Sequence, residues 1–122
     1  MDKKTEACIE SICSFPILYK KGNQTPLGII KECEYVELFS IITVELISKY
    51  LETNQNLIED WIQFSEDIRH SPAWGFGQDK KGEWLVVFSD MGQQIESYSF
   101  DNRIDACAKM IKMTVEEIRT DN

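Results

Sequence analysis

The sequence predicts an α+β fold, with three helices, a three-stranded antiparallel meander and a closing helix packed as one domain over residues 1–122. Three observations carry that prediction. Apolar residues recur at helical spacing up to residue 68, alternate with a period of two from Ala73 to Phe100, and return to helical spacing from Ile104. Glycine-bearing turns separate the alternating runs. A chain of 122 residues, 43% hydrophobic and 28% charged, holds apolar material for one core and too few residues for two.

The first helix is expected over Thr5 to Cys13, with Cys8, Ile9, Ile12 and Cys13 on one side and Glu6 and Glu10 outside. Thr5 is a candidate cap, and Ser14-Phe15-Pro16 ends the helix, because proline disfavours helical geometry in the residue before it. Tyr19 to Gln24 reads as a surface turn. Thr25 then stands as N-cap before Pro26, whose missing amide costs nothing at the first helical position. One long apolar helix is expected from Leu27 to about Leu51. Lys31, Glu32, Glu34, Glu37, Glu45 and Lys49 exclude it as a bilayer span, which needs about 20 apolar residues. The β-branched run Ile41-Ile42-Thr43-Val44 lowers its local propensity, so burial has to hold it there.

The third helix opens with Asn56 and Glu59 at capping-box spacing and stops at Ser71-Pro72. At 100° per residue, Leu57, Ile58, Trp61, Phe64, Ser65 and Ile68 share one side. Glu59, Asp60, Gln63, Glu66 and Asp67 share the other. Trp74 and Phe76 then alternate with small residues, Asp79-Lys80-Lys81-Gly82 turns, and Trp84 to Phe88 forms the buried central strand. Ser89 to Gly92 turns into Ile95 to Phe100. Trp74, beside a glycine, is expected to be the least constrained of the aromatic residues. Asp101 or Ser99 caps the closing helix, whose stripe is Ile104, Ala108, Ile111, Val115 and Ile118. Arg103, Lys109, Lys112, Glu116, Glu117 and Arg119 are expected outside that stripe.

Thirteen basic and 21 acidic residues leave a net charge of -8. That sign argues against nucleic acid and anionic membrane as partners. The charge is unevenly placed: residues 27–70 carry nine acids against three bases, a net of -6. Four cysteines, Cys8, Cys13, Cys33 and Cys107, show no two-residue spacing, so neither a zinc knuckle nor a redox motif is expected. No apolar segment follows the charged N-terminus, which predicts no secretory signal, a cytoplasmic location and reduced, buried thiols.

No chemistry is legible. The single histidine, His70, has Glu66 one turn away but no nucleophile at a signature spacing, and reads as a surface residue at a helix end. Gly75, Gly77 and Gly82 precede a strand, where a dinucleotide fingerprint precedes a helix. Adjacent carboxylates such as Glu59-Asp60 and Glu66-Asp67 diverge by 100° and do not chelate alone. No catalytic residue, metal or cofactor is expected, and the chain reads as a binding protein.

The run His70-Ser71-Pro72-Ala73-Trp74-Gly75-Phe76, then Gly82-Glu83-Trp84, then Ser99-Phe100-Asp101 and Asp105-Ala106-Cys107-Ala108 before Ile111, resembles small bacterial immunity proteins. Those belong to contact-dependent growth inhibition and related polymorphic toxin systems, and the resemblance spans roughly Arg69 to Glu117. It implies a non-enzymatic cytosolic protein, a monomer when free, that binds one toxin domain 1:1, commonly a nuclease, and blocks its active or substrate-binding surface. A basic nuclease would meet the acidic face through Glu52, Glu59, Asp60, Gln63, Glu66 and Asp67, with Trp74 or Tyr98 as anchor. The alternative is a homodimeric regulatory or adaptor protein without catalytic activity, joined through an exposed part of the long apolar helix.

Overall fold

Seven helices and three strands follow the order α1 to α6, β1 to β3, α7 in this computed structural model, which describes residues 2–67 and 73–120. The α+β class predicted from periodicity holds, and the strands form an antiparallel sheet in sequential order β1-β2-β3. Ile68, His70 and the Ser71-Pro72 stop lie outside the described residues.

Helix α1 (Lys3–Cys13) is capped by Asp2, whose Oδ1 accepts the Thr5 N–H at 2.8 Å, so the cap sits three residues before the expected one. Helix α1 ends at Ser14-Phe15-Pro16 as expected, but the same segment does more than stop it. It opens a second short helix, α2 (Phe15–Lys20), with Pro16 in its first turn, where its missing N–H has no role.

The single long helix expected from Leu27 to Leu51 is instead three pieces: α3 (Pro26–Glu32), α4 (Tyr35–Leu38) and α5 (Val44–Glu52). Thr25 caps α3, its Oγ1 accepting the Gly28 N–H at 3.0 Å. The first break falls at Glu34, a non-glycine residue in the left-handed conformation (φ 66°). The second falls on the β-branched run, where low propensity prevails and Thr43 starts α5 by accepting the Leu46 N–H at 3.2 Å. Breaking the run lets a segment that is apolar all round turn Ile29, Ile30, Tyr35, Ile42, Ile47 and Leu51 inward from several directions.

Asn56 is the first residue of α6 (Asn56–Asp67), so it does not occupy the expected cap position. The inward face of that helix is as predicted, with Leu57, Ile58 and Trp61 buried and Phe64 and Ser65 partly so.

The strands are β1 (Ala73–Gln78), β2 (Trp84–Asp90) and β3 (Gln93–Phe100). Trp74 pairs with Phe88, Phe76 with Val86, and Val86 with Tyr98, so these side chains share the face that α7 (Arg103–Thr120) packs across. Trp74 is therefore only 5% exposed, contrary to the freedom expected of it. Met91 (φ 54°) and Gly92 (φ 80°) form the two-residue β2–β3 turn, both in the positive-φ conformation such tight hairpins require.

Helix α6 covers the outer edge of β1. Ser65 Oγ accepts the Phe76 N–H at 2.9 Å and donates to the Phe76 carbonyl at 3.4 Å, blunting an edge that would otherwise be open. Ser65→Ala is expected to cost about 1–2 kcal/mol by leaving that part-buried N–H without a partner. Urea unfolding followed by circular dichroism reads the change, and an unaltered midpoint would show that water replaces the hydroxyl.

Candidate functional site

The N-terminus of α7 organises an acidic part of the described surface. Asn102 caps the helix, its Oδ1 accepting the Asp105 N–H at 2.9 Å, where Asp101 or Ser99 was expected. The Asp105 carboxylate accepts from the Ser48 hydroxyl of α5 and from the Asn102 amide, each at 3.0 Å. These bonds fix α5 against the start of α7.

On either side of Asp105 and Phe100 lie two open depressions. One, of about 490 Å³, is bounded by Val44, Glu45, Ser48, Lys49 and Glu52 of α5. The other, of about 250 Å³, is bounded by Glu83, Ser99, Asp101 and Asn102. Phe100 and Asp105 line both, so the depressions are neighbours, and taken together as one groove their linings carry five carboxylates (Glu45, Glu52, Glu83, Asp101, Asp105) against one ammonium, Lys49. An aromatic ring among carboxylates suits an arginine or lysine side chain, whose stem packs on apolar surface while its head meets the anions. Charge of one sign in a concave surface also focuses the field that steers such a partner inward.

The residues expected to bind fall in several places. Glu52 is exposed on the groove wall. Glu59 is exposed but engaged, accepting from Arg103 Nη1 at 2.8 Å, so it also ties α6 to α7. Asp60 is half-buried, while Gln63 and Glu66 are exposed on the outer side of α6 as predicted. Asp67 ends that helix, with its backbone alone described. Glu32, Glu34 and Glu37 belong to α3 and α4, and Glu34 lies 3.9 Å from Lys4, so the negative charge of residues 27–70 is not one face.

Trp74 is not available as an anchor. Its ring packs 4.9 Å from Phe88 and 6.2 Å from Tyr98, and its Nε1 is buried without a hydrogen-bond partner among the described residues. Tyr98 is half-buried at the same cluster. Its hydroxyl donates to Glu96 at 2.8 Å, which raises its pKa, and the Lys109 ammonium sits 4.4 Å over its ring.

Sequence reasoning missed Glu45, Glu83, Asp101 and Asp105 as groove residues, since no periodicity joins them. The one signal was strand register: pairing Trp84 with Phe100 sets Glu83 beside Asp101 at the same end of the sheet.

Three charged residues expected outside the α7 stripe instead build a polar network beneath α4. Lys112 Nζ donates to the Phe39 carbonyl (2.8 Å), the Ile42 carbonyl (2.7 Å) and the Tyr35 hydroxyl (2.9 Å). Tyr35 donates to Glu116 at 2.6 Å, and Arg119 grips the same carboxylate with two bonds of 2.9 Å. Burial lowers the Lys112 pKa, the Arg119 bonds lower that of Glu116, and burial with the Glu116 contact raises that of Tyr35. The network holds the loop between α4 and α5 in place of the helical hydrogen bonds that the break removes.

Among the described residues no group of three histidine, cysteine or acidic side chains is gathered to hold a metal ion, and no helix is long and apolar enough to cross a membrane. Comparison with protein-family models, characterised proteins and solved structures finds no match to this chain.

Proposed function

We propose that this chain is an immunity protein that binds and neutralises a basic toxin domain, with a nuclease as the expected target. The groove around Phe100 and Asp105 carries this reading, because its five carboxylates complement the cationic surface a nuclease keeps for phosphate. The net charge of -8 and the resemblance of the C-terminal half to toxin-system immunity proteins support it. The α6 residues Glu59, Asp60, Gln63 and Glu66 extend the contact, and the half-buried Tyr98 replaces Trp74 as the aromatic contributor. Inhibition is stoichiometric: the acidic surface occupies the toxin's substrate-binding face, so no reaction and no cofactor is needed. The protein acts in the cytoplasm as a monomer that forms a 1:1 complex.

Tagged protein expressed in its own host tests this. A basic domain from the end of a large exported protein should co-purify at 1:1 by light scattering, and its nuclease activity should disappear as the complex forms. Recovery of a stable homodimer alone would favour the adaptor reading, whose surface has lost support: of the apolar residues between Leu27 and Leu51, Ile41 is the large one left well exposed, at 50%.

A further inference from the structure

Away from the acidic groove, the sulfurs of Cys8 on α1 and Cys33 at the end of α3 approach to 3.6 Å, both as free thiols. Cys8 is fully buried, whereas Cys33 is half-buried and lines an open depression of about 420 Å³. Lys3 and Lys4 also line it, as do Glu32, which accepts from Gln24, and Glu34, which pairs with Lys4. Cys33 is therefore the more open member of the pair, although its thiol also donates to the Ile30 carbonyl at 3.5 Å. The remaining thiols, Cys13 and Cys107, are both 0% exposed.

We propose that Cys33 and Cys8 are the peroxidatic and resolving members of a reversible, hydroperoxide-sensitive disulfide pair. The Cys33 thiolate attacks the outer oxygen of the hydroperoxide, the O–O bond breaks, and the alkoxide or hydroxide leaves and takes up a proton. Cys33 is then a sulfenic acid. The Cys8 sulfur attacks it, the S–S bond forms, the S–O bond breaks, and hydroxide leaves with the Cys8 proton as water. Two thiols lose two electrons and the peroxide gains them. Hydrogen bonding from Cys8 favours the charged form of Cys33 and lowers its pKa, while the same contact and burial raise that of Cys8. The sulfurs have to close from 3.6 Å to the bonded distance of about 2.05 Å, and Cys33 lies at the junction of α3 and α4, next to the left-handed Glu34.

The test uses the full-length protein with equimolar hydrogen peroxide, followed by digestion at glutamate without reductant. Cleavage at Glu10 separates Cys8 from Cys13, so mass spectrometry identifies the partners directly. An intramolecular Cys8–Cys33 link that dithiothreitol reverses is the expected product, forming at least about tenfold faster than any oxidation of Cys13 or Cys107. Cys8→Ala should stop at a Cys33 sulfenic acid trapped by dimedone, and Cys33→Ser should abolish peroxide consumption. Wild-type protein in which Cys33 reacts no faster than Cys107, goes to sulfinic acid, or links two chains would overturn the proposal without reference to either variant.

Discussion

Trp61→Ala is expected to lower the unfolding free energy by about 3–5 kcal/mol, the range for truncating a buried aromatic side chain. Trp61 is 0% exposed and packs 6.1 Å from Phe15 and 5.4 Å, edge-on, from Phe64. Its indole N–H donates to the Cys13 carbonyl at 2.8 Å. Cys13 is the last residue of α1, so that carbonyl has no acceptor role within the helix, and the indole supplies what a capping group otherwise would. Alanine therefore opens a cavity between α1, α2 and α6 and orphans a buried acceptor at once. Trp61→Phe keeps most of the ring and loses the bond, which separates the two contributions at about 1–3 kcal/mol for the acceptor. Against a total stability of about 5–15 kcal/mol, the alanine variant is marginal at 37 °C. Thermal unfolding followed by far-ultraviolet circular dichroism should fall by roughly 10–20 °C. An unchanged midpoint would mean that this aromatic cluster does not hold the helices together.

Lys112→Met should cost about 2–4 kcal/mol, because three part-buried acceptors on Tyr35, Phe39 and Ile42 lose one ammonium. The same network sets an acid limit. The Glu116 pKa is held below its ordinary value of 4.5 by Arg119 and Tyr35, so the folded state binds fewer protons there than the unfolded chain. Its contribution is complete above the unfolded pKa and is lost as pH falls through the lower, folded one. Glu116→Gln should consequently be less stable than wild type at pH 7, with the gap narrowing as pH falls below the ordinary value of 4.5. Urea midpoints of both proteins at pH 7 and pH 3 read this. A gap as wide at pH 3 as at pH 7 would assign the loss to packing and not to charge.

How far the sequence led depends on the kind of signal. The meander was legible because alternation, Gly82 and Gly92 agree on where strands end, and local signals suffice for sequential hairpins. The apolar stripe of α7 was legible for the same reason. The break after Cys33 was not, since Glu34 carries none of the sequence marks of a left-handed residue. The second break was announced by Ile41 to Val44 and Thr43, but that local preference had been set below the expected burial. Lys112 and Glu116 looked like solvated charge because periodicity locates a stripe without showing which neighbouring carbonyls flank it. Trp74 is not as free as expected, because a glycine neighbour says nothing about which face of β1 the indole occupies. The groove lay beyond reach for a related reason: α5, the β1–β2 turn and the start of α7 meet only in three dimensions.

The central claim is that the groove, and not the overall acidity, captures a basic partner. Association rates between the co-purified domain and two charge-reversed variants test it most directly, measured over a series of salt concentrations. One variant changes Glu45, Glu52 and Asp101 to lysine. The other changes three exposed acids away from the groove, Glu6, Glu10 and Glu37, and so matches it in net charge. The groove variant should associate about 10- to 10³-fold more slowly at low salt, with a flattened salt dependence, while the control stays near wild type. Equal slowing of both variants, or of neither, would contradict the assignment of the groove as the binding surface.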